Sequence, residues 1–101
     1  MIELTDLQYS TLFMAANGGS LCFAVIYPMP NDEEHRKQYL YDEMQQMNDL
    51  LDAGLLEDLS NRFKESIETC KVNNKGRGYK VFGLTDLAVK MFRDSADRQV
   101  N

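Results

Sequence analysis

Few side chains in this sequence could carry covalent or acid–base chemistry. Cys22 and Cys70 could serve as thiolate nucleophiles, as metal ligands or as a disulfide. They stand 48 positions apart with no further cysteine, which is no metal-ligand spacing, and the expectation is two reduced, mostly buried thiols. His35, the single histidine, sits between Glu34 and the pair Arg36–Lys37 and reads as a solvated helix residue rather than a base or a ligand. A metal site needs several converging donors, and no stretch clusters them. The adjacent carboxylates Glu33 and Glu34 suit the start of a helix, where they meet the positive end of the dipole. The Gly76-x-Gly78 pair is too short for a phosphate-binding fingerprint and precedes a strand instead of a helix. No nucleophile stands beside a credible base. The sequence predicts a protein that is not an enzyme and uses no cofactor and no metal.

Charge offers more. The net charge is −5, but it is unevenly placed: residues 31–54 hold seven acidic and two basic side chains, residues 61–80 six basic and two acidic. Such asymmetry bears on partners, not on fold. Around a turn rich in Asn and Gly stand Lys71, Asn73, Asn74, Lys75, Arg77 and Lys80, residue types that hold phosphate oxygens; a solvated, lysine-rich turn is the plainer reading. On the acidic side, Gln38, Asp42, Gln45, Asp49 and Asp52 share one face of a helix, flanked by Gln46. Gln38 and Gln45 could read adenine edges. The aspartates oppose a polyanion, so Asp42, Gln46, Asp49 and Asp52 alternatively form a surface for a basic partner protein, or an ordinary solvated face.

These side chains need elements to hold them. A chain of 101 residues is expected to be one domain over residues 1–97, with a polar tail over 98–101 that frays. The start is acidic and lacks a basic leader region, and the longest apolar run, Leu21–Tyr27, is too short to span a bilayer; the expectation is a cytoplasmic protein without membrane contact. Thr5 with Gln8 has the capping-box spacing, and Leu7, Leu12, Phe13 and Ala16 give the helix that follows an apolar stripe, ended by Gly18-Gly19. Residues 21–27 favour a buried strand, with a short buried helix as the alternative. After Pro28 and Pro30, Asn31 and Glu34 repeat the capping spacing and open a helix from about Asp32 to Ala53, with a break near 37–39. Its apolar face carries Leu40, Met44, Met47 and Leu51, and Gly54 closes it.

Beyond Gly54 two readings compete: a helix over at least part of 58–72, or a short strand over 55–59 followed by a long excursion. A strand over 79–84 then runs into a helix capped by Thr85.

Leu50-Leu51-Asp52-Ala53-Gly54-Leu55-Leu56, followed by Gly78-Tyr79-Lys80-Val81-Phe82-Gly83-Leu84-Thr85-Asp86-Leu87-Ala88, resembles the winged-helix superfamily. Leu50, Gly54, Leu55 and Leu56 match the end of its recognition helix; Tyr79, Phe82, Leu84, Thr85 and Ala88 match the strand that leaves its wing. The compact acidic chain is similar in character to small regulators of phages and mobile elements. The resemblance implies an α+β winged-helix-like fold, mostly helical with a small antiparallel β-hairpin, and a DNA-binding regulator of transcription or replication. It places the helix of residues 38–53 in the major groove and the hairpin on the backbone. It also implies a homodimer joined by the first and last helices, with Tyr9, Phe13, Met91 and Phe92 as candidates. Independently of the resemblance, the adaptable side chains of Met14, Met29 and Met91 could help line a dimer surface. The sequence departs from the pattern in two ways: no separate second helix is evident between the first helix and the recognition helix, and the wing region, residues 57–79, is long.

Overall fold

The computed structural model describes residues 3–18 and 20–100, with side chains as far as Arg93. Among these residues four α-helices and a three-stranded antiparallel sheet follow in the order α1 (Asp6–Asn17), β1 (Cys22–Ile26), α2 (Glu34–Asp52), β2 (Leu56–Asp58), α3 (Lys64–Asn73), β3 (Tyr79–Leu84) and α4 (Asp86–Val100). A 3-10 turn over Ser60–Phe63 leads into α3. The strands lie in the order β1-β3-β2, with β3 central.

The Thr5 capping box forms as the spacing predicts. The Thr5 hydroxyl accepts from the Gln8 N–H at 3.1 Å, and the Gln8 side-chain oxygen accepts from the Thr5 N–H at 3.0 Å. Gln8 is buried, and its amide donates to the Gln46 carbonyl at 2.9 Å, so the same residue that caps α1 ties it to α2. The far end of α1 is held from α4: Arg93 Nε donates to the Ala16 carbonyl at 2.9 Å, placing a cation at the negative end of the helix.

α2 starts later than the Asn31 spacing suggests. Glu33 is its N-cap, and its carboxylate accepts from the His35 N–H at 3.1 Å. Asp32 is drawn instead into the preceding loop, where it accepts from the Met29 N–H at 2.7 Å. The helix is unbroken through 37–39. It buries Leu40, Met44, Met47 and Leu50, with Leu51 only half-buried, because the chain folds back over the Leu50 side. The Leu55 N–H reaches the Leu50 carbonyl at 3.0 Å and the Gly54 N–H reaches that of Leu51 at 3.1 Å. Those two bonds make a Schellman closure, which requires the left-handed backbone that Gly54 supplies at φ +78°.

Residues 55–78 satisfy both competing readings in sequence. Leu56–Asp58 pairs with β3 as a strand, and the helix begins only at Lys64. The expected small hairpin is therefore a three-stranded sheet: β2 and β3 pair antiparallel, a helical excursion separates them, and β1 flanks β3 on its other side. β1 is a strand, but not a buried one. Only Val25 is fully inside, since a single face of β1 meets the helices. Cys22 is exposed and Cys70 half-buried, which corrects the expectation of two buried thiols.

The core lies between one face of the sheet and α1, α2 and α4. Leu12, Ala16, Met44, Met47, Leu50 and Phe92 close on Leu56, Phe82 and Leu84. Leu12, Leu50 and Phe82 are completely inaccessible, and each contributes about 1.5–3 kcal/mol by leaving water. On the other sheet face the 3-10 segment docks: the Leu59 N–H donates to the Val81 carbonyl at 2.8 Å, the Val81 N–H donates to Ser60 Oγ at 3.1 Å, and Leu59 lies in the notch left by Gly83. Thr85 joins the two halves. Its hydroxyl donates to the Gly54 carbonyl at 2.8 Å and accepts from the Ala88 N–H at 3.3 Å, so the closure of α2 and the cap of α4 share one side chain. α4 continues to Val100, through the segment expected to fray; Asn101 lies outside the described residues. No helix among the described residues is long and apolar enough to cross a membrane.

Candidate functional site

The basic residues that the sequence groups together do not share one environment. Arg77 is consumed internally. Its guanidinium pairs with Asp32 at 2.5 Å and donates to the Tyr27 carbonyl at 3.0 Å, bridging the exit of β1, the approach to α2 and the start of β3. The Arg77 hydrogen bond and then the Met29 N–H hold the Asp32 carboxyl below the usual carboxylate value. Arg77 is thus a joint between loops and has little left to offer a phosphate. Lys80 is also engaged, 3.5 Å from Asp58 and 5.5 Å from the centre of the Phe82 ring. At Asp58 burial works against ionisation, but the Ser60 hydrogen bonds and Lys80 prevail and lower its pKa.

Asn74, though exposed, folds back on the end of α3, its amide donating to the Cys70 carbonyl at 2.7 Å and to Cys70 Sγ at 3.2 Å. Tyr79 lies against the same cysteine; burial first and Cys70 second raise its hydroxyl pKa. Lys71, Asn73 and Lys75 remain. All three are exposed, and among the described residues neither lysine has an ion-pair partner. The turn that presents them is well bonded: the Gly76 N–H reaches the Lys71 carbonyl at 2.8 Å and the Arg77 N–H that of Asn74 at 3.2 Å. Lys75 itself adopts φ +58°. Exposed Arg62 and Lys64, outside the predicted set, add charge along the same excursion.

The acidic face of α2 forms as the spacing predicts. Gln38, Asp42, Gln45, Asp49 and Asp52 are all exposed. Gln38 donates to Asp42 at 3.0 Å and Gln45 to Asp49 at 3.0 Å, two successive i,i+4 pairs. These pairs occupy the two glutamine amides that base reading would need and fix the carboxylates along one line. Among the described residues none of Asp42, Asp49 and Asp52 meets a cation. Gln46 is half-buried, accepts from the Thr5 hydroxyl, and with Glu3, Thr5, Gln8, Asp49 and Asp52 lines an open groove of about 420 Å³. A groove with that lining can accept hydrogen bonds from cationic groups.

The four aromatic and methionine residues expected at a dimer interface are largely used inside the chain. Tyr9 stacks on Phe13 at 6.0 Å and meets Phe92 edge-on at 5.4 Å. Phe92 is buried, and Phe13 and Met91 are half-buried against the core, because α1 and α4 pair within one chain. Of the set, Tyr9 alone is exposed, with Met14 nearby on α1. Among the described residues no group of three or more His, Cys, Asp or Glu could hold a metal ion.

No protein-family model, no curated protein and no solved structure matches this chain.

Proposed function

We propose that this chain is a non-enzymatic protein-interaction module on a winged-helix-like scaffold, and that the acidic face of α2 receives a basic segment of a partner protein. The observation that carries this reading is the line of unneutralised carboxylates Asp42, Asp49 and Asp52 along a continuous 19-residue helix. The scaffold reading is supported by the order helix–strand–helix–strand–helix–strand–helix, in which β2 and β3 still pair across α3, by a sheet with β3 between β1 and β2, and by the glycine closure of α2. Two departures persist. No helix lies between β1 and α2, and α3 is inserted where a wing would be a simple hairpin.

A second reading, DNA binding in transcriptional or replication control, rests on the exposed, unpaired Lys71 and Lys75. It differs from the winged-helix docking mode, because α2 would carry three aspartates into a groove walled by phosphates.

One experiment separates the two. Binding of an oligolysine peptide and of a mixed-sequence DNA duplex is measured across a salt series by fluorescence anisotropy. The variants are Asp42→Asn/Asp49→Asn/Asp52→Asn and Lys71→Ala/Lys75→Ala. The interaction reading expects peptide binding that falls by about threefold to a hundredfold in the aspartate variant, at about 0.2–1 kcal/mol for each of the exposed pairs lost. The DNA reading expects duplex binding whose salt slope drops by about two in the lysine variant. Peptide affinity unchanged by neutralising the aspartates refutes the interaction reading.

A further inference from the structure

The outer edge of β1 is open, and its chemistry is that of a strand prepared to pair. The bonds Leu84 N–H to Leu21 carbonyl and Tyr27 N–H to Gly78 carbonyl, both 3.0 Å, fix the phase of the β1–β3 ladder. Residues 21, 23, 25 and 27 direct their main-chain groups at β3, so those of Cys22, Ala24 and Ile26 point away from it. The Cys22 carbonyl accepts from Ser20 Oγ at 3.1 Å. Among the described residues, no hydrogen bond reaches the outward groups of Ala24 and Ile26. The usual protections of an edge are missing: from Ser20 to Pro30 there is no charged residue, and β1 contains no proline.

We propose that this edge pairs with β1 of a second copy, antiparallel about a twofold axis at Ala24, joining two sheets into one of six strands. The apolar pattern argues for a second copy over an unrelated strand, because it is symmetric about Ala24. Leu21 and Tyr27, three positions before and after it, are both exposed large apolar side chains, at 37% and 43%. In the self-paired register Leu21 lies opposite the partner's Tyr27 and Phe23 opposite the partner's Val25. Both are non-hydrogen-bonded positions, where side chains approach most closely. Cys22 then exchanges main-chain bonds with the partner's Ile26, and Ala24 with the partner's Ala24, about six bonds in all. Each chain carries a net charge of −5, and this uncharged stretch lets two copies meet without like charges on facing strand positions. Glu43 on α2 lines a hollow shared with Phe23, Ala24 and Val25, so added salt, which screens the two Glu43 carboxylates, does not weaken the pairing. That separates this association from the charge-driven readings above, on which it does not rest.

The test is sedimentation velocity of the full chain over micromolar to submillimolar concentrations, with two variants. Ala24→Pro removes an outward N–H without touching the β3 ladder. It is expected to weaken dimerisation at least roughly tenfold, a factor worth about 1.4 kcal/mol, while circular dichroism stays that of wild type. Ala24→Cys in a Cys22→Ser/Cys70→Ser background places two thiols at a site where Cα atoms stand about 5.5 Å apart, within disulfide reach, and oxidation is expected to give a covalent dimer. A chain that stays monomeric throughout overturns the proposal. So does a dimer indifferent to Ala24→Pro, which places the contact elsewhere, such as on α1 and α4. Should Ala24→Pro fail to fold, the cysteine variant decides alone, and absence of the covalent dimer is then the refuting result.

Discussion

Gly83→Ala tests how the helical excursion is pinned to the sheet. A methyl group at position 83 would lie 2.5 Å from Leu59 Cδ1 and 3.3 Å from its Cγ, while the nearest backbone atom, the Leu21 carbonyl oxygen, is 3.7 Å away. The obstacle is therefore one side chain, and that side chain is buried at 8% exposure. Overpacking of this kind costs about 1–3 kcal/mol. Replacing glycine by alanine inside a strand returns about 0.5–1 kcal/mol of backbone entropy. The net expectation is a loss of about 1 kcal/mol and at most about 2.5, seen as a drop of several degrees in Tm at about 4–8 °C per kcal/mol for a chain of this size. Leu59→Ala alone costs about 2 kcal/mol, the low end for a buried leucine near the surface. In that background the clash is gone and only the entropic gain remains, so Gly83→Ala becomes neutral or stabilising by about 0.5 kcal/mol. Urea unfolding of the four proteins, followed by far-ultraviolet circular dichroism, gives the coupling directly. If Gly83→Ala costs the same in both backgrounds to within about 0.3 kcal/mol, the contact with Leu59 is not what reserves position 83 for glycine.

Gly54→Ala isolates backbone conformation from packing, since nothing lies within 4 Å of the added carbon while φ is +78°. The expected cost is about 1–2 kcal/mol in urea unfolding, and a cost near zero would mean that the Schellman closure relaxes freely. Arg77→Ala should flatten the acid limb of the stability curve. The folded-state pKa of Asp32 is lowered from 3.8, so its contribution is fully present above that value and is lost as pH falls through the lowered one. Unfolding midpoints followed from about pH 5 down past 3.8 should therefore fall less steeply in the variant than in wild type. Equal slopes would refute the link between Arg77 and Asp32.

The elements whose signals are local were legible. Thr5 and Gln8 lie three residues apart, and the box they form involves no other part of the chain. The same holds for Gly54 closing α2 and for Thr85 capping α4, although that Thr85 also donates to the Gly54 carbonyl could not be read from either stretch alone. Signals that depend on what lies opposite failed. The apolar run at 21–27 reads as buried on both faces, yet its outer neighbours are absent and Cys22 and Ala24 are exposed. Asn31 and Glu34 have capping spacing, but Asp32 gains more from Arg77 and the Met29 N–H, and the cap moves to Glu33. Arg93 closing α1 and Gly83 receiving Leu59 join residues far apart in sequence, and no pattern within either segment announces them.

The candidate site shows why a charge count along the chain misleads. Arg77 and Lys80 raise the basic total of residues 61–80, but each is offset by a carboxylate from another segment, Asp32 and Asp58. The same pairing takes Asp32 out of the acidic total of residues 31–54. Among the described residues folding leaves Arg62, Lys64, Lys71 and Lys75 exposed without an ion pair along the excursion and Asp42, Asp49 and Asp52 likewise along α2, and no ion pair joins the two sets. A paired charge contributes to holding loops in place; an unpaired one on a rigid element retains its attraction for a partner. By that criterion Arg77, the strongest phosphate ligand by residue type, is the weakest candidate by position. The carboxylates of α2, which count against DNA in a sequence reading, stay exposed on a continuous helix, as the proposed interaction surface requires. The lysines and the aspartates can accordingly be neutralised separately, and loss of function in one variant with retention in the other identifies the working surface.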